Sequence, residues 1–220
     1  MTKVDYRLNP IIDGSLRDVG NLAELAGIAA RNGATIIQYR DKDASTREMI
    51  LQAKAIREAL AGTGVPLLVN DRIDVALAAE VEGVHIGRDD MAPEIARRLL
   101  GPDAIIGLTV KNEADADTAI AAPIDYACIG GVFDTLSKKN ADAPVGIDGF
   151  SALSQRIAAA RPNMPLGAIA GIDAERAGEV VRAGADGVAA IASIFRAPDV
   201  AVATSELRSA VDAALEARGK

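Results

Sequence analysis

The feature that most constrains this chain is a recurrence. Short apolar runs rich in β-branched residues come at even spacing, each followed by a longer segment rich in Ala, Leu, Glu and Arg. The runs fall at 6–12, 35–40, 66–70, 83–86, 104–109, 124–129, 165–169 and 187–191. Segments such as "TREMILQAKAIREALAG" and "DAERAGEVVRAG" between them read as helices. Most of the runs lack polar–apolar alternation, as strands of a parallel sheet buried on both faces do. In "RNGATIIQYR", "AEVEGVHIG" and "RAGADGVAAIA" a helix ends near glycine and a strand follows within a few residues. Glycine there accepts the left-handed conformation that stops a helix. "PNMPLGAIAG" enters its strand through prolines instead. Eight evenly spaced units with no domain-sized insertion predict an α/β (β/α)8 TIM barrel, with residues 1–220 as one domain. An open doubly wound sheet is the alternative, but a G-x-G-x-x-G after the first strand is missing.

Half of the 220 residues are hydrophobic, enough for one sizeable core. The net charge of −7 is interspersed with cations, and aromatic residues are few (three Tyr, three Phe, no Trp), so neither a basic surface nor a stacking platform for nucleic acid is expected. One cysteine, Cys128, excludes an intrachain disulfide and fits a reducing compartment. One Cys and one His cannot form the usual zinc site, so any metal would be a hard cation on carboxylates. The start, "MTKVDYRLNPIID", has no signal-peptide pattern, and no apolar run approaches bilayer-spanning length. The expectation is a soluble, cytoplasmic protein acting on small molecules, with no membrane partner. Oligomeric state is left open, and a homo-oligomer is compatible with it.

In a (β/α)8 barrel the active site lies at the C-terminal ends of the strands. The second strand ends in Gln38-Tyr39-Arg40-Asp41-Lys42. Alternation places Gln38, Arg40 and Lys42 on one side, a grouping suited to a polyanion such as diphosphate. The plain alternative is a surface charge run pairing the cations with Asp41 and Asp43. The third and fourth strands end at Asn70-Asp71-Arg72 and His85-Ile86-Gly87-Arg88-Asp89-Asp90. Asp71 with Asp89 or Asp90 offers the two oxygen ligands that Mg²⁺ takes alongside substrate phosphates; helix N-capping would explain either carboxylate equally well. His85 reads as a hydrogen-bonded strand-end residue rather than a catalytic base. Thr109 ends the fifth strand with a hydroxyl. After the last two strands, Gly171, Ala192 and Ser193 are small enough for backbone N–H groups to hold a phosphate, or simply for close packing.

Between the sixth and seventh strands runs "CIGGVFDTLSKKNADAPVG", residues 128–146, too long to be idle in a compact domain. Its Thr135, Ser137 and Lys138 could reach both anion sites.

The stretches "IIQYRDK", "LLVNDRIDVAL", "GVHIGRDDM", "IIGLT", "DYACIGGVFDTLSKK" and "GADGVAAIASIF" resemble, in order and spacing, the thiamine-phosphate synthase family, over residues 6–195. The resemblance implies a Mg²⁺-dependent transferase on a (β/α)8 barrel. It joins hydroxymethylpyrimidine diphosphate to thiazole phosphate, or its carboxylate, through dissociative loss of diphosphate. It further implies that the Gln38, Tyr39, Arg40, Asp41 and Lys42 stretch, with Asn70, Thr109 and Lys138, binds the pyrimidine diphosphate. Arg40, Lys42 and Lys138 would neutralise the leaving group. Asp71 and Asp90 would hold Mg²⁺. Thr135, Leu136, Ser137, Gly171, Ile191 and Ala192 would hold the thiazole phosphate.

The chain departs from the family pattern at several positions. Arg88 stands where glutamine is frequent and adds a cation beside the metal site. Gly131 and Asp134 occupy places where proline is common, and Ser137 replaces threonine. Ala170 replaces the first glycine of a pair, and Ala192 replaces serine. A thiazole tautomerase on a similar barrel would carry a histidine just after the fifth strand, where this chain has Thr109-Val110-Lys111. A non-catalytic phosphate-binding barrel is the other alternative, and it has no use for the metal–cation set.

Overall fold

The computed structural model describes residues 4–134 and 143–219. Eight parallel strands close into one barrel in sequence order. They are β1 (Leu8–Asp13), β2 (Ile37–Arg40), β3 (Leu67–Asn70), β4 (Gly83–Ile86), β5 (Ile105–Val110), β6 (Tyr126–Gly130), β7 (Leu166–Ile169) and β8 (Gly187–Ala190). Each lies within two residues of the run read from the sequence. Around them stand α1 (Leu22–Arg31), α2 (Thr46–Ala59), α3 (Ile73–Ala79), α4 (Pro93–Leu100), α5 (Glu113–Ala121), α6 (Gly146–Ala160), α7 (Ala174–Arg182), the short α8 (Ala192–Phe195) and α9 (Val200–Ala217). No helix among the described residues is long and apolar enough to cross a membrane.

Several helices start at side-chain caps. Ser45 and Glu48 exchange hydrogen bonds in a capping box at α2, and Asp173 and Asp199 accept backbone N–H bonds at the starts of α7 and α9. Two helix ends follow the glycine rule, with Gly33 and Gly184 at positive φ. The end of α3 does not. Glu80 itself takes the left-handed conformation (φ 55°), and Gly83 is the first residue of β4. A Cβ on Gly83 would overlap the backbone of Ile105 on β5, so this glycine serves strand packing.

Two apolar layers result from the strand alternation. The larger fills the space between barrel and helices, with Leu8, Ile12, Ile37, Tyr39, Val69, Ile86 and Ile129 pointing outward from the strands. Each such fully buried side chain contributes roughly 1.5–3 kcal/mol of transfer free energy. The smaller layer lies inside the barrel and contains Tyr6, Ile11, Ile36, Leu68, Tyr126 and Cys128. The rings of Tyr6 and Tyr126 pack tilted against each other, their centroids 4.6 Å apart. Both need room that neighbouring strands provide by having no side chain. The Tyr126 ring lies where a Cβ on Gly107 would stand, and the Tyr6 ring where one on Gly167 would stand. The tyrosines thus fill the barrel interior, and the strand ends above them remain open as a mouth.

Gly107→Ala should cost about 3 kcal/mol or more, because the ring cannot retreat within a close-packed barrel. Denaturant unfolding measures this; an unchanged midpoint would show that the ring has somewhere else to go.

Candidate active site

A cleft of about 390 Å³ opens at the C-terminal ends of the strands, with Ile11, His85 and Cys128 among its lining. Gln38, Arg40, Asn70, His85 and Thr109 line one side; Ile169, Ala170, Gly171, Ile191 and Ala192 line the other. The alternation along β2 works as the sequence implied for Gln38 and Arg40. Tyr39 and Asp41 lie elsewhere. Tyr39 is fully buried between barrel and helices, and its hydroxyl donates to Asp41 Oδ2 at 3.2 Å. Asp41 also accepts from Arg17 at 2.6 Å and from the backbone N–H groups of Asp43 and Ala44 at 3.1 and 3.0 Å. Burial opposes its ionisation, but these donors outweigh burial and hold its carboxyl below the ordinary range. Asp41 therefore shapes the turn that carries Lys42. The alternative, a surface pairing of Arg40 and Lys42 with Asp41 and Asp43, does not form. Arg40 pairs with Asp13 at the end of β1, and Lys42 with Asp71 beyond β3.

Two carboxylates meet at the rim. Asp71 has φ 63°, a left-handed backbone that a non-glycine residue rarely takes and aspartate tolerates best. That turn brings Asp71 to Lys42 and to Asn70, whose Nδ2 donates to Asp71 Oδ1 at 2.8 Å. Asp90 Oδ2 accepts from the backbone N–H of Gly87 at 2.7 Å. Neither aspartate is a helix cap: α3 begins after Arg72 and α4 after Ala92, both without a side-chain cap. Burial, and then hydrogen bonding to Asp71, raise the Asp90 carboxyl to about 6. Two facing carboxylates resist carrying two charges unless a cation joins them. Asp89 is exposed on the outside of the same turn. Among the described residues no three His, Cys, Asp or Glu side chains cluster as metal ligands. The rim is a two-carboxylate site, which fits a hard cation completed by substrate oxygens and water.

His85 lies at the base of the cleft. Its Nδ1 is 2.8 Å from the Tyr126 hydroxyl and its Nε2 is 2.8 Å from Thr109 Oγ1. Burial keeps the Tyr126 phenol protonated well past its ordinary range. The histidine is hydrogen-bonded at the strand end, as read from its apolar flanks, and it also lines the cleft. Arg88 turns onto α5, where Nε and Nη2 bond both oxygens of Asp115 at 2.9 and 2.8 Å. Asp115 additionally accepts from the backbone N–H of Lys111. The Arg88 guanidinium, read from the sequence as a cation beside the metal site, thus ties the β4 and β5 loops together.

On the far side, Gly171 (φ 66°) follows Ala170 (φ 85°). A left-handed backbone explains why glycine suits both positions; at Ala170 the Cβ adds strain. The backbone continues the sheet here, with Val132 and Phe133 donating to the carbonyls of Ile169 and Ala170 at 2.9 and 3.2 Å. Ser193 Oγ donates to the Ile172 carbonyl at 2.8 Å, and Ala192 has no hydroxyl to offer. Asp134 is exposed and lines the cleft mouth. Thr135, Leu136, Ser137 and Lys138 lie outside the described residues. Lys111 and Arg176 also line the cleft, although the strand-end reading did not place them there. Lys111 follows β5 directly and was within reach of that reading. Arg176 sits in the first turn of a helix, where no strand-end rule points to it.

The family model described as thiamine monophosphate synthase matches residues 8–194. A thiamine-phosphate synthase from Agrobacterium fabrum is 64% identical over 218 residues, covering 99% of either chain. One from Chloroflexus aurantiacus is 41% identical over 213 residues, covering 97% of this chain and 96% of its own. Among solved structures, thiamine phosphate pyrophosphorylase from Pyrococcus furiosus superposes with a TM-score of 0.84 at 34% identity, covering 97% of this chain and 98% of its own. Orotidine 5′-phosphate decarboxylase from Pyrococcus horikoshii, at 13% identity and a TM-score of 0.66, shares the fold alone. The cleft, its paired rim carboxylates and these likenesses agree, and the chain belongs to the thiamine monophosphate synthase family.

Proposed function

We propose that the protein condenses hydroxymethylpyrimidine diphosphate with thiazole phosphate to give thiamine phosphate and diphosphate. The observation that carries this reading is the rim cluster: Asp71 and Asp90 face each other, with Lys42 on Asp71 and Arg40 beside the cleft. Such a group suits a departing diphosphate, whose charge grows as its bond to the pyrimidine methylene breaks.

The donor set fits Mg²⁺, with Asp71 and Asp90 as its protein ligands. The ion would neutralise charge on the leaving oxygens. The protein's own residues do the rest. Arg40, held by Asp13, presents its guanidinium to the cleft; Lys42 can turn from Asp71 to the diphosphate once a cation takes its place. Lys138 is proposed to close the same anion from the loop. Gln38 and Asn70 present amides, which bond the edge of an aminopyrimidine through paired donors and acceptors. With Tyr126 donating to His85 Nδ1, Nε2–H donates to Thr109 Oγ1, and the Thr109 proton is free to bond the substrate. Gly171, Ile191 and Ala192 give the thiazole phosphate a small-residue cradle, which Thr135, Leu136 and Ser137 are proposed to complete. No covalent nucleophile is needed: the pyrimidine stabilises its own cation, and the barrel holds the thiazole nitrogen in line with it. We place the reaction in the cytoplasm, where the lone thiol of Cys128 stays reduced.

The direct test is product formation. Purified protein with both substrates and Mg²⁺ should yield thiamine phosphate and release diphosphate. Finding no product with either thiazole tautomer would refute the reading.

The metal site makes a separate prediction. Below about 6 the Asp90 carboxyl is protonated and neutral; above that value it is ionised and available to a cation. Mg²⁺ affinity, followed by calorimetry, should therefore rise with pH through about 6 and level off above it. Asp90→Asn should lower affinity by about tenfold or more and flatten this dependence. Asp89→Asn should change little, and the opposite ranking would assign the metal to the wrong carboxylate.

A further inference from the structure

Among the described residues, the thiazole side of the cleft is short of positive charge. Asp134 and Asp173 both line it. Ser193, its one hydroxyl among the described residues, is already committed to the Ile172 carbonyl, and Ala192 supplies only backbone. Among the described residues, a phosphate dianion brought here would meet carboxylates before it met a side-chain donor. The exception is Arg176. Its Nη1 donates to the Gly171 carbonyl at 2.8 Å, and its guanidinium carbon sits 4.7 Å from the centre of the Phe133 ring. Asp173 caps α7 through the backbone N–H of Arg176, which fixes where this side chain starts. The guanidinium is thereby held over Gly171, at the cleft wall, by a carbonyl and an aromatic face. Gly171 O is its only hydrogen-bond acceptor among the described residues. A guanidinium has five N–H donors, so most remain for an anion.

Resting on the reaction proposed above, we propose that Arg176 is the specificity-determining cation for the thiazole phosphate. It supplies to the phosphate the side-chain contact that Ala192 lacks. It offsets Asp134 and Asp173, and so sets the preference for a phosphorylated thiazole over the free alcohol. Its stacking on Phe133 also links phosphate binding to the start of the β6–α6 loop.

Steady-state kinetics with thiazole phosphate and with the unphosphorylated thiazole alcohol test this. Arg176→Gln should raise the KM for thiazole phosphate about tenfold to a hundredfold. The KM for the pyrimidine diphosphate should stay nearly unchanged, and the preference for the phosphorylated thiazole should shrink by the same factor. Arg176→Lys should recover part of that preference, as a point charge without the fork. An unaltered preference in Arg176→Gln would overturn the assignment. So would Phe133→Leu reproducing the full loss, because Arg176 would then act only as a clamp between loops. If the wild-type protein forms no product, the reaction is wrong, and calorimetric titration of thiazole phosphate into wild type and Arg176→Gln still decides. Equal affinities, or no binding to either, would refute the role of Arg176.

Discussion

Tyr126 lies across the barrel in the space that glycine leaves at position 107, and the cleft depends on that placement. The ring packs on Tyr6 and fills the barrel interior beneath the layer that lines the cleft. Its hydroxyl reaches His85 on β4, and His85 reaches Thr109 on β5. One packing constraint thus orients two polar side chains on different strands. It also explains why a single histidine in this chain is buried, bonded at both ring nitrogens and still part of the cleft wall. A larger residue at 107 would disturb the wall as well as the interior beneath it.

Four ion pairs organise part of the mouth above. Arg40 rests on Asp13, Arg17 on Asp41, Lys42 on Asp71 and Arg88 on Asp115. The pairs differ in how tightly they are committed. Asp41 is buried and shared among four donors, so it holds backbone in place. Lys42 is half exposed on a flexible stem, and its partner Asp71 also faces Asp90. A divalent cation between the two aspartates would release the lysine for a substrate anion. The arrangement is preorganised where it must be rigid and exchangeable where ligands arrive.

Much of this was legible in the sequence. Buried parallel strands are continuous apolar runs, so the strands could be located and the barrel inferred from their number and spacing. Alternation then separated Gln38 and Arg40 from Tyr39, because side-chain direction along a strand is local information. Other features depend on partners distant in sequence. Gly83 resembled a helix stop but serves the contact of β4 with β5, while Glu80 ends the helix in a conformation its side chain does not advertise. Arg88 was read as a cation beside the metal site, and its pairing with Asp115 on α5 was not legible from the strand end. Asp71 and Asp90 could have been helix caps until the observed helix starts excluded it. Arg176 could not be found from strand ends, because its access to the cleft comes from a helix turn meeting Gly171 and Phe133.

The central claim is that the strand ends of β3 and β4 hold a cation against a diphosphate. Crystals of the protein grown with Mn²⁺ and inorganic diphosphate test it most directly, through the anomalous signal of the metal. The account predicts one peak bridged by the carboxylates of Asp71 and Asp90, with diphosphate oxygens completing its coordination and Lys42 turned onto the anion. A diphosphate bound with no metal between these aspartates, or a metal bound elsewhere in the cleft, would contradict it.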